Sequence, residues 1–267
     1  MNIMVAIKQV PETGNVKMDP VTGTMIREGV ESIINPLDLY AIEAANQLKE
    51  THGGKVTVMT MGPGNADKAL REALAMGCDE AVLITDRAFA GADTWSTAYV
   101  LSRAIQALGG FDLILCGERA TDGDTGQVGP NIASALDVPL VTYVSEIESY
   151  DRAGNEMLVW RMTEYGYEKM SLPLPALLTV IKEISFPRLP TLRGKQRARA
   201  AEIKVFSLVN LEVDKDRIGL KGSPTRVIRI ETPRVTRGGT ILKPTDEQGL
   251  EDAVDQLIGF LKAKELI

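Results

Sequence analysis

The sequence lacks the residues on which most metal and covalent chemistry depends. Its 267 residues include two cysteines, Cys78 and Cys116, and one histidine, His52. The cysteines form no CxxC pair, so ligation of zinc, haem or an iron–sulfur cluster by this chain's own side chains is disfavoured. No GxSxG motif accompanies the histidine, which argues against a serine hydrolase. If the protein takes part in redox chemistry, a bound cofactor must supply it.

Long apolar runs and an excess of positive charge are also absent. No stretch of about 18 apolar residues is present, and the first residues lack the charged and apolar regions of a signal peptide. The formal net charge is −6, from 30 Lys and Arg against 36 Asp and Glu. Such a chain has no overall basic field to attract nucleic acid. We therefore expect a soluble, cytoplasmic protein that neither inserts into a membrane nor binds nucleic acid.

Short apolar runs alternate with helical patterns over the first half of the chain. Val, Ile and Leu concentrate in four strand-like runs, at residues 3–9, 55–61, 80–85 and 112–117. Patterns with helical spacing follow them, near residues 37–48, 65–76, 93–108 and 126–136. We expect Asn35 to cap the first helix, Pro36 to occupy its first position and Asp93 to cap the third helix. This alternation predicts an α/β fold with a doubly wound, mostly parallel sheet.

Two segments depart from this rhythm. Residues 16–27 read VKMDPVTGTMIR, in which a turn lies between alternating residues, so they predict an added β-hairpin. After Pro139, residues 141–150, 157–163 and 176–181 are strand-like without intervening helices, and we expect them to extend the sheet with antiparallel strands.

The composition changes after residue 185. Residues 186–201 contain five Lys or Arg and no acidic residue. Besides a merely solvated loop, this basic loop has two interpretations. It binds RNA, which is weakly supported because only Phe186 offers an aromatic ring for base stacking. Alternatively, it presents Leu189 and Leu192 to a partner with an acidic surface, which we favour. Residues 202–267 have many turn formers before a closing helix at 249–264, and they predict an arm that packs on another subunit. The division is thus 1–185, 186–201 and 202–267.

The best candidate site is the loop at 117–130, GERATDGDTGQVGP, between a predicted strand and a helix. Ligands of open α/β sheets bind at the carboxyl ends of the strands, and glycines there let backbone N–H groups approach an anion. Asp122 and Asp124 would repel a phosphate unless they face away, and a plain capped turn is the alternative interpretation. Thr125 adds a hydroxyl donor.

Other strand ends lie at the same predicted edge. They contribute Ala6 and Lys8 from the first strand and Met61 and Gly62 from the second, beside the helix start at Asn35. Lys8 either binds a phosphate or pairs with a carboxylate. Neither GxGxxG nor a Walker A motif occurs, so we expect an adenine-nucleotide pocket of a different kind from the dinucleotide Rossmann site.

Several pieces of sequence point together to one protein family. They are VAIKQVP, IINPLD, MGPGNADKALREALAMGCDEAVLI, ATDGDTGQVGP and TEYGYEKMSLPLPALLTV. With them the chain resembles the beta subunit of electron transfer flavoproteins over essentially its whole length. One departure is Tyr165, which stands where a glycine is common in the family's signature.

The resemblance implies a heterodimer with an alpha subunit that holds FAD, and a beta-subunit pocket that holds AMP or a second FAD. The arm at 202–267 would pack on the alpha subunit, and the basic loop would recognise a dehydrogenase, with Leu192 as the anchor and Leu189, Arg193 and Lys195 beside it. The cofactor-binding residues, with Lys8 and Gly117 added from the strand ends, would be Ala6, Lys8, Asn35, Pro36, Leu37, Asp38, Met61, Gly62, Gly117, Asp122, Gly123, Asp124, Thr125, Gly126, Gln127, Val128, Gly129 and Asn131.

Three segments, VKMDPVTGTMIREGVESIINP, GDTGQVGP and IGLKGSPTRV, resemble the electron-bifurcating members of the family more than the simple ones. Gly123 and Gly126 stand where simple members have an acidic residue and Asn, and smaller residues would leave room for a pyrophosphate and riboflavin. The resemblance then implies an FAD that takes hydride from NADH, with electrons passed to ferredoxin or flavodoxin and, through the alpha-subunit FAD, to an acyl-CoA or related flavin dehydrogenase. Such a chain would act only as part of that complex.

Two alternatives remain open. One is a simple electron shuttle whose beta subunit holds AMP structurally in the same pocket. The other is a free-standing ATP-pyrophosphatase-like protein, which needs an SGGxDS loop after the first strand. Residues 8–12 read KQVPE instead, so that interpretation is disfavoured.

Overall fold

The computed structural model describes residues 1–12, 17–18, 25–26, 32–226 and 239–267. Its strands are β1 (Asn2–Ala6), β2 (Gln9–Pro11), β3 (Lys17–Met18), β4 (Met25–Ile26), β5 (Ser32–Ile34), β6 (Lys55–Met61), β7 (Glu80–Ile84), β8 (Leu113–Gly117), β9 (Leu140–Asp151), β10 (Glu156–Thr163), β11 (Gly166–Pro173), β12 (Ala176–Val180) and β13 (Ile203–Phe206). Its α-helices are α1 (Asp38–His52), α2 (Asp67–Met76), α3 (Thr94–Leu108), α4 (Val128–Leu136), α5 (Leu192–Ala200) and α6 (Glu247–Ala263).

Within the described part of the chain, nine strands form one mixed sheet in the order β11-β10-β9-β12-β8-β1-β6-β7-β13. Seven of these strands run parallel to one another, in the order β9-β12-β8-β1-β6-β7-β13. Strand β10 runs antiparallel to β9 on one side and to β11 on the other. The doubly wound, mostly parallel sheet with added antiparallel strands is therefore confirmed.

Helices cover both faces of this sheet. On one face α1 and α2 bury residues such as Ile42 and Leu70 against Val5 and Val58. On the other face α3 and α4 pack residues such as Ile105 and Ile132 against the sheet. Because both faces are covered, the central strands read as continuous apolar runs.

Most predicted elements are confirmed, and α3 shows why. The Asp93 carboxylate accepts a hydrogen bond from Ser96 N at 3.0 Å, as an N-cap does. The expected cap at Asn35 is wrong. Leu37 occupies the N-cap position of α1, and its side chain makes no cap bond. The Asn35 side chain does not cap the helix because it is bonded to a loop far along the chain.

The expected hairpin at residues 16–27 has its two arms in β3 and β4, which pair antiparallel. The turn between them lies outside the described residues. A further antiparallel pair joins β2 to β5. Strand β11, which forms the outer edge of the main sheet, was not among the strands expected from the sequence.

The basic segment is not a loop throughout, which corrects the sequence-based expectation. Its second part is helix α5, whose Thr191 cap accepts a hydrogen bond from Gly194 N at 2.9 Å. The segment after it begins with β13, which pairs with β7 at one edge of the main sheet. The chain divides into two compact units, Met1–Ile228 and Arg229–Ile267.

The second unit contains α6, which Asp246 caps through Gly249 N at 2.8 Å. No residue of α6 is buried, and its apolar side chains Leu250, Val254 and Leu257 are each about half exposed. None of the helices in the described ranges is both long and apolar enough to cross a membrane.

Candidate functional site

The strand order reverses between β1 and β8, and this reversal creates a crevice at their carboxyl ends. From β1 the chain proceeds to β6 and β7 on one side, and it then crosses to β8 on the other side. Ala6 at the end of β1 lies opposite Cys116 in β8. Such a topological switch point is where open α/β sheets bind their ligands. The loop predicted as the site follows β8 directly at this crevice.

The backbone of this loop is shaped to expose N–H groups. Asp124 and Gly126 have φ of 53° and 62°, so the chain turns twice through the left-handed region before α4. The N–H groups of Gly123, Thr125 and Gly126 donate to no acceptor in the described part of the protein. The first N–H groups of α4 add donors that have no partner within the helix. This array suits an anion such as a phosphate.

The two aspartates of the loop are each paired with a cation, which answers the electrostatic objection to phosphate. Lys8 Nζ lies 2.7 Å from Asp122 Oδ1, and Arg119 Nε lies 3.1 Å from Asp124 Oδ1. Lys8 therefore pairs with a carboxylate in this structure. Because its side chain is about half exposed, it remains within reach of a ligand at the mouth of the crevice.

Asn35 ties the loop to the start of α1. Its side chain is fully buried, donates to Arg119 O at 2.9 Å and accepts from Thr121 N at 3.1 Å. These two bonds engage opposite ends of the Asn35 amide, so they fix both its orientation and the first turn of the loop. The loop is thereby held before any ligand is present.

Asp38 lies one turn further along, under the crevice. Its carboxylate accepts the backbone N–H of Lys8 at 2.7 Å, and its Oδ1 lies so close to Gly117 that a Cβ added there would overlap it. Burial raises the pKa of this carboxyl to about 7, and the hydrogen bond from Lys8 opposes the rise. The adjacent Cys116 thiol is also buried, which raises its pKa to about 12 and leaves it unreactive at neutral pH.

The rim of the crevice is completed by neighbouring loops. Gln9 Nε2 donates to Asn65 O at 3.2 Å, which connects the β1 end to the turn after β6. Thr94 Oγ1 donates to Gln127 Oε1 at 2.8 Å, which connects the start of α3 to the loop. Gly129 lies in the first turn of α4, where a Cβ would stand 2.6 Å from Thr179 Cγ2, so glycine permits the close packing of α4 on the sheet.

The structure thus brings the expected pocket residues to one edge of the sheet in three groups. The β1 end and the α1 start are directly bonded to the β8 loop, and Met61 and Gly62 follow the neighbouring β6. Sequence reasoning missed Arg119, Thr121 and Thr94, which organise the loop through contacts to distant residues. Of these three residues, only Arg119 could have been anticipated from the sequence, because a positive charge close to two aspartates indicates an ion pair. The expected partner-binding residues do not join this crevice.

Those residues lie on a second surface, formed by the segment before α5 and by α5 itself. Arg188 fastens the segment to α1: its guanidinium contacts Glu43 at 2.8 Å and Glu50 at 2.5 Å, and its backbone N–H also donates to Glu43. Burial of Glu43 would raise its carboxyl pKa, but the bonds from Arg188 outweigh it and the pKa is lowered. The same pairs raise the pKa of Arg188.

Helix α5 is fastened to α2 in a similar way. Arg197 donates to Leu74 O at 2.8 Å, and Arg71 of α2 donates to Ala198 O at 2.7 Å. Gly194 packs so closely on α2 that a Cβ there would overlap the Ala75 carbonyl. The side chains left outward include Leu189 and Leu192, which are 86% and 87% exposed, and the cations Arg193 and Lys195.

Comparison with known proteins identifies relatives across the chain. The model of the electron transfer flavoprotein domain family matches residues 22–211. The electron transfer flavoprotein subunit beta of Thermoanaerobacterium thermosaccharolyticum is 52% identical over 258 residues, which cover 96% of this chain and 98% of that protein.

Two further relatives carry more specific names. Subunit CarD of the caffeyl-CoA reductase-Etf complex of Acetobacterium woodii is 45% identical over 268 residues, covering the whole of both chains. Protein FixA of Azotobacter vinelandii is 45% identical over 238 residues, covering 88% of this chain and 85% of that protein.

Proposed function

The chain belongs to the electron transfer flavoprotein family, and from this premise we propose that it is a beta subunit that holds a nucleotide cofactor in the crevice between β1 and β8. The observation that carries the proposal is the β8–α4 loop. It presents at the switch point N–H groups that have no acceptor among the described residues, and each of its aspartates is paired with a neighbouring cation. A pyrophosphate or phosphate group meets donors there without facing uncompensated negative charge.

The proposed cofactor is FAD, with its adenylate part at the crevice. Bound FAD would supply hydride acceptance from NADH and one-electron transfer, chemistry that the described side chains do not provide. The open space beside Gly123, where an added Cβ would meet no atom within 4 Å, supports this choice because it leaves room beyond the adenylate. The chain's own part is to bind and orient the nucleotide through the loop backbone and to keep Asp122 and Asp124 paired.

We further propose the electron-bifurcating role. One electron would pass to ferredoxin or flavodoxin, and the other through the alpha-subunit FAD to an acyl-CoA or related flavin dehydrogenase. The similarity to a subunit named for a caffeyl-CoA reductase-Etf complex supports this proposal, since that name joins an electron transfer flavoprotein to a CoA-ester reductase. The chain would work only within such a complex.

Two surfaces are proposed for the partners. The exposed Leu189 and Leu192, with Arg193 and Lys195 beside them, would dock the dehydrogenase: leucines insert into an apolar pocket while the cations steer an acidic surface. Within the arm expected at 202–267, β13 and the buried residues Leu211 and Ile218 belong to this chain's own core, so the closing helix α6 is the part that would pack on the alpha subunit. The half-exposed apolar stripe of α6, at Leu250, Val254 and Leu257, supports this because it has helical spacing.

The nucleotide content of the purified heterodimer tests the proposal. Acid release followed by chromatography would quantify FAD and AMP for each complex of this chain with its alpha subunit. Two FAD and no AMP is the expected result. One FAD with one AMP would instead make the chain the structural half of a simple electron shuttle. Absence of both from the beta pocket would overturn the assignment of the crevice.

A further inference from the structure

We infer that Asp38 is a positioning residue, which builds the nucleotide crevice by joining the carboxyl ends of β1 and β8 and does not itself touch the nucleotide. The inference rests on the proposed nucleotide site, and it revises the sequence-based expectation that Asp38 is a cofactor-binding residue. The distinction matters because a buried residue that shapes a site is sensitive to changes that an exposed ligand contact tolerates.

Burial is the first observation that supports this role. Asp38 is 5% exposed, whereas the loop residues on the other side of the crevice are largely exposed. A nucleotide bound at the strand ends would therefore meet the loop before it could reach this carboxylate. A buried carboxylate needs hydrogen-bond donors from the protein, and here it has them.

The second observation is where those donors come from. One is the backbone N–H of Lys8, two residues beyond β1, which donates to the carboxylate at 2.7 Å, and the carboxylate also lies in close contact with Gly117, the last residue of β8. At the switch point the segments that follow the paired strands β1 and β8 lead to opposite sides, and the Asp38 carboxylate contacts both strand ends. Asp38 makes both contacts from the first turn of α1, where the helix dipole also favours a negative charge.

The third observation is a steric match between Asp38 and Gly117. A Cβ added to Gly117 would overlap Asp38 Oδ1. Both carboxylate oxygens are thus occupied by protein, Oδ2 by Lys8 N–H at 2.7 Å and Oδ1 by close approach to Gly117. Glycine at the end of β8 is required so that the strand can approach the carboxylate.

Asn35 extends the same arrangement to the loop. Its backbone carbonyl accepts the Asp38 N–H at 2.9 Å, and its side chain bonds the backbone of Arg119 and Thr121. The chain of contacts therefore runs from the β1 end through two buried side chains to the residues that precede the anion-binding turn. A preorganised loop binds more tightly because ordering it costs nothing at the moment of binding.

The decisive experiment replaces Asp38 by Asn in the complex with the alpha subunit and measures binding of AMP and ADP. The substitution keeps the shape but places an amide N–H₂ against backbone donors, so we expect the affinity for both nucleotides to fall by the same factor, about tenfold or more. Asp112→Asn is the matched control, because Asp112 accepts the Asn2 N–H at 2.6 Å at the opposite ends of the same two strands, and it should leave both affinities unchanged.

Two readouts separate positioning from direct contact. Deoxy analogues of AMP that lack one ribose hydroxyl should lose the same factor in wild type and in Asp38→Asn, since independent losses add. Amide hydrogen exchange in the nucleotide-free complex should rise in Asp38→Asn at Lys8 and at residues 118–127, and remain unchanged elsewhere. If the deoxy analogue removed the effect of the substitution, Asp38 would be a ribose contact and the inference would be wrong.

Gly117→Ala provides a second variant that disturbs the same contact from β8. It should reproduce the uniform loss of affinity and the local rise in exchange, and the double variant should lose less than the sum of the two. Unchanged affinity in both single variants would overturn the inference. If the wild-type complex bound neither AMP nor ADP in this chain, the proposed nucleotide site itself would be contradicted. Failure of the inference about Asp38 and failure of the proposed site are therefore distinguishable.

Discussion

In both the crevice and the surface around α5, polar side chains point inward and hold the structure together. The two regions differ in what they expose, which is backbone N–H groups at the crevice and apolar side chains around α5. At the crevice, Asn35 and Asp38 are buried and turned toward backbone groups, so the backbone N–H groups face outward. Around α5, Arg188 and Arg197 turn inward to hold the segment, so leucines face outward. In both regions the conspicuous polar side chains build the scaffold, and the atoms that meet a ligand or partner are others.

The difference between the regions lies in how firmly the exposed groups are constrained. Crevice donors belong to the backbone, so their positions depend on buried contacts that tolerate little change. The leucines are side chains on a fastened scaffold, so they can be replaced without disturbing the fold. We expect substitutions in the crevice to change stability and binding together, and substitutions at the leucines to change docking alone.

The largest effect should be the pH dependence contributed by Asp38. Its pKa is raised by burial from 3.8 to about 7 in the folded protein, so between these values the folded state holds a proton that the unfolded state lacks. Stability gained from this group is therefore present below pH about 4 and is lost as the pH rises to about 7, by at most about 4 kcal/mol. Lys8 is the other ionisable group that acts on this carboxyl, and its positive charge lowers the pKa.

Denaturant unfolding of wild type and Asp38→Asn in the complex, at several pH values and one protein concentration, checks this expectation. The difference in unfolding free energy between the two proteins should fall across that window. A difference that stays constant would show that the hydrogen bond from Lys8 keeps the carboxylate ionised. The crevice would then be held by a charged rather than a protonated acceptor.

Arg188→Ala should destabilise the protein by about 3 kcal/mol, because it leaves the buried Glu43 carboxylate without its partner. The outward-facing Arg193 is the matched control, and Arg193→Ala should change the unfolding free energy by less than about 0.5 kcal/mol. Chemical denaturation measures both. If the two substitutions lowered the unfolding free energy equally, the inward-facing Arg188 would contribute no more to stability than the outward-facing Arg193, and the distinction between them would be wrong.

Leu192→Ala should weaken docking to the partner dehydrogenase by about 2 kcal/mol, the loss typical of a buried anchor, with no change in unfolding. Its side chain is 87% exposed in this chain, so its removal costs no core packing. Calorimetric titration of the complex with the dehydrogenase measures the docking. Val209, which is 95% exposed and lies outside the segment, offers a control in Val209→Ala. An effect as large at Val209 would argue against a specific docking surface.

The sequence predicted the parallel strands well and the polar contacts poorly. The reason is the separation along the chain: a strand depends on neighbouring residues, whereas a polar contact joins residues far apart in the sequence. The run at 55–61 became β6 with the expected bounds because its apolar character is local. Asn35 followed by Pro36 has the pattern of a helix cap, but its side chain is bonded to Arg119 O, 84 residues away, and no local pattern reports such a partner. The crevice could be located from strand ends, whereas its internal bonds could not.

The second region shows a related limit. Helix α5 buries only Ala198, so it has no apolar periodicity to indicate a helix, and its five-cation segment was expected to be a basic loop that recognises a partner. It forms because α2 supplies acceptors for Arg197 and room for Gly194. Strand β11 was missed for the same reason: most of its side chains are exposed at the sheet edge, so its sequence lacks the apolar run of a buried strand.

The smallest effect tests whether the loop admits more than an adenylate. Gly126 has φ of 62°, a conformation that Asn adopts more readily than other side chains, and a Cβ there would lie 3.3 Å from Glu118 O. Gly126→Asn should therefore fold, at the cost of some strain at the contact with Glu118 O, while its side chain narrows the space beside the loop. We expect FAD to bind about tenfold more weakly, or about 1.4 kcal/mol, and AMP to be nearly unaffected. Equal losses for the two nucleotides in equilibrium titrations would mean that the loop does not adjoin the pyrophosphate, and the crevice would then be an AMP site with its exposed backbone donors used for a single phosphate.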